Sequence, residues 1–108
     1  RAPNDPDGVA GLALVGVMKR VQGIDPQAAV DAGAAPGAPA DAVLKAGDVL
    51  VLSGRADEAF ALLIGAVRTH AGDERDALRG RVLELFAVLG SEHPSVVQAR
   101  PALANALF

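Results

Sequence analysis

Residues 40–71 run ADAVLKAGDVLVLSGRADEAFALLIGAVRTHA, and this stretch decides the fold. Val43, Ala46, Gly47, Leu50 and Val51 fall at i, i+3, i+4, i+7 and i+8, the spacing of one helix face. Ala59, Leu62, Leu63, Ala66 and Val67 repeat it. Between the two runs stands Ser53-Gly54, and glycine suits the left-handed cap that ends a helix. Bulk alternates along the pair: Val43 large, Gly47 small, Leu50 large, Ala59 small, Leu63 large, Ala66 small. Gly47 and Ala59 are predicted to face each other where the helices cross, with Leu63 and Ala66 beside them. A bulky residue at either position would drive the axes apart. The stretch is therefore an antiparallel hairpin of two helices.

Outward from the hairpin, the pattern stays helical. Asp73-Glu74 places acids at a helix start, Leu78, Val82, Leu85, Phe86 and Leu89 form its stripe, and Gly90 closes it. A last helix begins at His93-Pro94 and carries Val96, Ala99, Leu103, Leu107 and Phe108. Pro101 inside it predicts a kink or a late start. On the other side, Asn4-Asp5-Pro6-Asp7 opens a first helix bearing Val9, Leu12, Ala13, Val17 and Val21, its apolar face widened by Leu14, Val15 and Met18. Asp25-Pro26 opens a short second one, and Gly33–Pro39 is expected to be a loop. The expected architecture is all-α, antiparallel hairpins forming a short right-handed solenoid of five to six helices. One domain spans 1–108: a degenerate first hairpin and loop at 1–39, the clear hairpin at 40–71 and a C-terminal hairpin at 72–108.

Composition narrows the function. Apolar residues make up 51% of the chain, but 23 of its 108 residues are Ala, and there is no Trp or Tyr. Such a core is built from Leu and Val, with close contacts at Ala and Gly, which suits helices and not β-sandwiches. The net charge of −3 offers no basic patch for a phosphate backbone, so nucleic acid is not an expected partner. No apolar run is long enough to span a membrane, and the first residues do not form a signal peptide. Cysteine is absent, which removes disulfides, thiol catalysis and thiolate metal sites from this segment and fits a cytoplasmic protein. Two Lys against eight Arg, with much Ala and Gly, suggests a GC-rich bacterial genome. The start at Arg1 suggests a fragment of a longer or processed protein.

Numbered from Ala40, the six alternating residues occupy positions 4, 8, 11, 20, 24 and 27, the size code of a tetratricopeptide repeat. Two positions depart from that code: Ala46 where Leu is usual, and Ala71 where Pro is usual. The second half carries a closer likeness. Gly72-Asp73-Glu74-Arg75, Leu83-Glu84-Leu85-Phe86-Ala87-Val88-Leu89-Gly90, Pro94 and Ala102-Leu103-Ala104-Asn105-Ala106-Leu107-Phe108 resemble the C-terminal tetratricopeptide region of bacterial thioredoxin-like co-chaperones, the chaperedoxins. The resemblance covers residues 40 to 108 well and the first 39 loosely. It implies a thioredoxin-fold domain ahead of Arg1, a helical region that holds unfolded or partly folded clients, and cooperation with a GroEL-type chaperonin. Pro101 departs from the helix-forming residue that family carries there.

No enzymatic constellation appears. Asp57-Glu58 and Asp73-Glu74-Asp76 sit at helix starts, which accounts for them without acid–base chemistry. His70 near Asp73 and Glu74 is a conceivable surface metal site, weaker than the reading with no metal, and no cofactor is expected. His93 is expected to cap or to lie in a loop, and Phe60 and Phe86 to be core. The candidate partner contacts are Asp41, Leu44, Asp48, Val51 and Leu52 on the hairpin's inner face, and Leu103, Leu107 and Phe108 at the end. Two acids among apolar residues would repel a carboxylate and favour an apolar or basic helix. The rival reading is a structural or homo-oligomerising module, with the Ala-rich first helix packing against a second copy in a homodimer.

Overall fold

The computed structural model describes residues 6–108, with side chains from Gly11 onward. The Asn4-Asp5 cap expected at the first helix lies outside them. Six helices follow in order: α1 Pro6–Arg20, α2 Pro26–Ala34, α3 Ala40–Leu52, α4 Ala56–Thr69, α5 Gly72–Leu89 and α6 Pro94–Leu107. No strand occurs among the described residues. The architecture is all-α, a short solenoid built around the α3–α4 hairpin.

Local chemistry accounts for the boundaries. The Asp25 carboxylate accepts the Gln27 N–H at 3.2 Å, and Pro26 fills the first position of α2. α3 ends in a Schellman motif. Gly54 adopts φ +78°, the Arg55 N–H donates to the Leu50 carbonyl at 2.8 Å, and the Gly54 N–H donates to Val51 at 3.1 Å. His93 caps α6: its Nδ1 accepts the Ser95 N–H at 3.1 Å. α6 is one helix from Pro94 to Leu107, so the late start expected at Pro101 does not occur. Pro101 and Val97, whose carbonyl loses its N–H partner, are both exposed, and solvent meets the freed group.

Two crossings set the packing. A Cβ on Gly47 would lie 2.7 Å from Leu63 Cδ1, so Leu63 meets Gly47 more closely than Ala59, the partner expected. Helical side chains lean toward the N-terminus and cover the preceding turn, so Leu63 lies over the level of Ala59. Ala59 and Leu63 are fully buried, and Ala66 nearly so. The second crossing lies between α2 and α3, where a Cβ on Gly33 would come 2.4 Å from Ala46 Cβ and 2.7 Å from the Ala42 carbonyl oxygen. Gly33 and Ala34 therefore belong to α2, not to the loop expected at 33–39. The helix stops only at Ala35, held extended at φ −64°, ψ 144° because Pro36 follows.

The first helix departs from its expected place. α1 does not pair with α2 as a degenerate hairpin; it packs on α5 and α3, while α2 packs on α3. α3 and α5 lie side by side, and α4 contacts α3, α5 and α6. α6 rests mainly on α4. The core joins Val17 of α1 to Leu63, Val67, Leu78, Val82, Leu85 and Val96. Phe60 and Phe86 are buried edge to face, with ring centroids 5.1 Å apart.

Candidate functional site

The most organised polar feature lies where α1 crosses α3 and α5. Asp48 interrupts the buried apolar face of α3 and is only 1% exposed. Arg20, the last residue of α1, grips it with a fork: Nε at 3.0 Å from Oδ2 and Nη2 at 3.3 Å from Oδ1. Arg81 of α5 donates from Nη1 to Oδ2 at 2.5 Å and reaches the Leu44 carbonyl at 3.5 Å. The Arg20 Nη2 also donates to Glu84 Oε2 at 2.5 Å. Arg81 and Glu84 sit three apart on α5 and so present one face. Two carboxylates and two guanidiniums thus alternate as Glu84, Arg20, Asp48 and Arg81. The hydrogen bond to Asp48 raises the Arg20 pKa further above its ordinary value, against the opposing effect of burial. Burying a carboxylate is unfavourable unless it is paired and bonded, and here three donors meet it.

The five candidate contacts on α3 do not form one open row. Asp41 and Leu52 are exposed, Leu44 is half-buried, and Asp48 and Val51 are buried. The expectation that two acids colour this face is corrected: Asp48 is neutralised by Arg20 and Arg81, which leaves Asp41. At the C-terminus Leu103 is buried, Leu107 half-buried and Phe108 wholly exposed. Leu83, Phe86, Leu103, Leu107 and Phe108 line a groove of about 330 Å³ between Arg79 and Arg100. The Arg75 Nη2 holds the end of α6 by donating to the Leu107 carbonyl at 3.0 Å. The apolar end is thus packed at Leu103 and offered to solvent at Phe108.

His70, weighed with Asp73 and Glu74 as a metal site, instead turns Nδ1 to the Ala66 carbonyl at 2.9 Å. It finishes α4. α1 also carries an open apolar strip, with Leu12 77% and Met18 52% exposed and Val15 and Leu14 beside them.

Sequence reasoning missed the ionic cluster. Its one visible sign is Asp48 itself, a carboxylate beside Gly47 in the middle of an apolar stripe. Its cations lie 28 and 33 residues away in the chain.

The profile of the family described as "Tetratricopeptide repeat" matches residues 19–108. An uncharacterised protein of Mycobacterium bovis is 44% identical over 68 residues, which is 63% of this chain and 22% of that protein. Uncharacterised proteins of two Mycobacterium tuberculosis strains match to the same extent. The matched stretch therefore spans only about a fifth of these relatives. No solved structure matches the chain.

Proposed function

This chain belongs to the tetratricopeptide-repeat family, and we propose from there that it is the client-binding part of a thioredoxin-like co-chaperone. Repeats of this family generally bind proteins and are typically not catalytic. The observation that carries the finer reading is the apolar surface left in water: Leu12, Val15 and Met18 along α1, and Phe108 beside its groove. Contiguous exposed apolar surface marks sites where another chain docks. Unfolded or partly folded clients present matching apolar segments, and a GroEL-type chaperonin is the expected downstream partner. The likeness of residues 72–108 to the chaperedoxin end points the same way. So does the length of the relatives, which leaves room for a further domain. The chain has no cysteine and so supplies no thiol for redox chemistry itself. A cytoplasmic setting follows from this role.

Aggregation of a heat-unfolded enzyme, followed by light scattering, tests the reading. Suppression is expected at a few-fold excess of the chain, and capture of the chaperonin by the full-length protein. Neither effect at tenfold excess would sink it. A second reading, a homo-oligomerising module, is favoured by the same α1 strip, which a second copy would cover. Sedimentation over a hundredfold concentration range separates them, since a strict monomer excludes the dimer.

A further inference from the structure

α5 lies against both helices of the hairpin before it, α3 and α4. The α5–α6 hairpin carries no such helix among the described residues, and its two helices touch only sparingly because α6 leans on α4. The gap between them is the groove of about 330 Å³ that Leu83, Phe86, Leu103 and Leu107 line. Phe86 and Leu103 are buried, Leu107 is half-buried and Leu83 is 44% exposed. Covering such surface is favourable for any apolar occupant.

Charge selects among the occupants. The lining holds two guanidiniums, Arg79 from α5 and Arg100 from α6, and no carboxylate. In a chain of net charge −3 this is a local inversion of sign. Arg20, Arg55 and Arg81 each meet a carboxylate, whereas Arg79 and Arg100 meet none among the described residues. Arg75, one turn before Arg79 on α5, is engaged with the Ala106 and Leu107 carbonyls. An anion at the rim therefore finds two unpaired, forked donors. Size narrows the choice further. One turn of a helix with its side chains fills about 420 Å³, taken as a cylinder about 10 Å across and about 5.4 Å long. The groove is smaller than that and lies at the low end of small-molecule sites, which span about 300–1,000 Å³. It suits one flexible apolar chain with a negative head.

We infer that the α5–α6 groove binds a single-chain anionic amphiphile of the long-chain carboxylate class, its tail along Leu83, Phe86, Leu103 and Leu107 and its head group at the Arg79 and Arg100 rim. The inference goes beyond the protein-binding reading above and shares with it only the C-terminal groove. The tail contributes by the area it removes from water. The head contributes by charge-assisted hydrogen bonds, which a neutral or cationic amphiphile of equal length lacks.

The test uses residues 1–108 and, in parallel, the full-length protein, with a fluorescent dodecanoate kept below the concentration at which it forms micelles. Saturable uptake of about one molecule per chain is expected, reversed by unlabelled dodecanoate and not by dodecanol or dodecyltrimethylammonium. Arg79→Gln combined with Arg100→Gln should weaken uptake at least tenfold, and so, independently, should Leu83→Glu. Lys45→Gln combined with Arg68→Gln removes the same charge outside the groove and should change uptake by less than about twofold. All five substituted residues are exposed, so the fold is kept. Equal uptake by every variant, displacement by dodecanol as readily as by dodecanoate, or uptake by residues 1–108 and none by the full-length protein overturns the site. So does binding of an acidic peptide or of anionic vesicles without uptake of dodecanoate, because the rim then serves a macromolecule. Uptake without suppression of aggregation upholds the site and removes the co-chaperone role. Suppression without uptake does the reverse.

Discussion

Replacing Gly47 by alanine should destabilise the protein although alanine is the better helix former. The new Cβ would lie 2.7 Å from Leu63 Cδ1, 3.0 Å from Cγ and 3.1 Å from Cδ2. Unbonded carbons settle at about 3.5–4.0 Å, so one side must retreat by about 1 Å. Leu63 has nowhere to go, because it is fully buried among core residues. Overpacking of this kind costs about 1–3 kcal/mol, and the gain in helix propensity returns about 1 kcal/mol. The net loss is about 0–2 kcal/mol, equivalent to a fall of up to about 15 °C in Tm for a domain of this size. Gly65→Ala is the control. Gly65 lies inside α4 and a Cβ there meets nothing within 4 Å. It should stabilise by up to about 1 kcal/mol. Urea unfolding followed by circular dichroism reads both. The variant pair Gly47→Ala and Leu63→Ala adds a sharper criterion. Combined, they should destabilise by clearly less than the sum of the single effects, because the lost side chain is the one struck. If Gly47→Ala matches Gly65→Ala in stability, the crossing described here is wrong.

Other positions give independent checks. Asp48→Ala leaves the largely buried Arg81 without its carboxylate and Arg20 with Glu84 alone. With Arg20 a third exposed, the loss should be about 2–4 kcal/mol in urea, and a change under about 0.5 kcal/mol would refute the cluster's role. His93→Ala removes the α6 cap and should cost about 1 kcal/mol, whereas His93→Asn restores most of it. The Arg55 hydrogen bond lowers the Glu58 pKa below its ordinary value of 4.5. A depressed carboxylate stabilises the fold above its unfolded pKa, and that contribution disappears as pH falls through the folded value. An NMR titration should therefore find Glu58 below 4.5 in the unaltered chain and back at its ordinary value in Arg55→Ala.

The α3–α4 hairpin was legible because its signal is local. Size alternation at Gly47, Ala59, Leu63 and Ala66 reports a crossing between helices joined by a short turn. Asp25, Ser53-Gly54, Gly90 and Pro94 announced their boundaries through backbone chemistry alone. What could not be read was long-range. α1 is apolar nearly all round, so the stripe expected at Val9, Leu12, Ala13, Val17 and Val21 did not tell which side is covered: Val17 is buried and Leu12 exposed. The loop expectation at Gly33 failed because glycine there serves a close approach to Ala46, which no neighbouring residue betrays. Asp48 looked like surface because its two arginines come from other helices, and Val51 shares its burial. Among the candidate contacts, only Asp41, Leu52 and Phe108 kept the exposure that contact requires.

The seat of α1 has a consequence in time. Arg20 leaves the ribosome ahead of Glu84 by 64 residues, and its pairing with Asp48 spans 28. At about 5–20 residues per second, α1 waits about 3 to 13 s for α5 to be synthesised. During that interval Leu12, Val15, Val17 and Met18 are all uncovered together. This segment thus emerges as a sticky helix whose docking place does not yet exist, and it is itself a client for whatever factors guard emerging polypeptides.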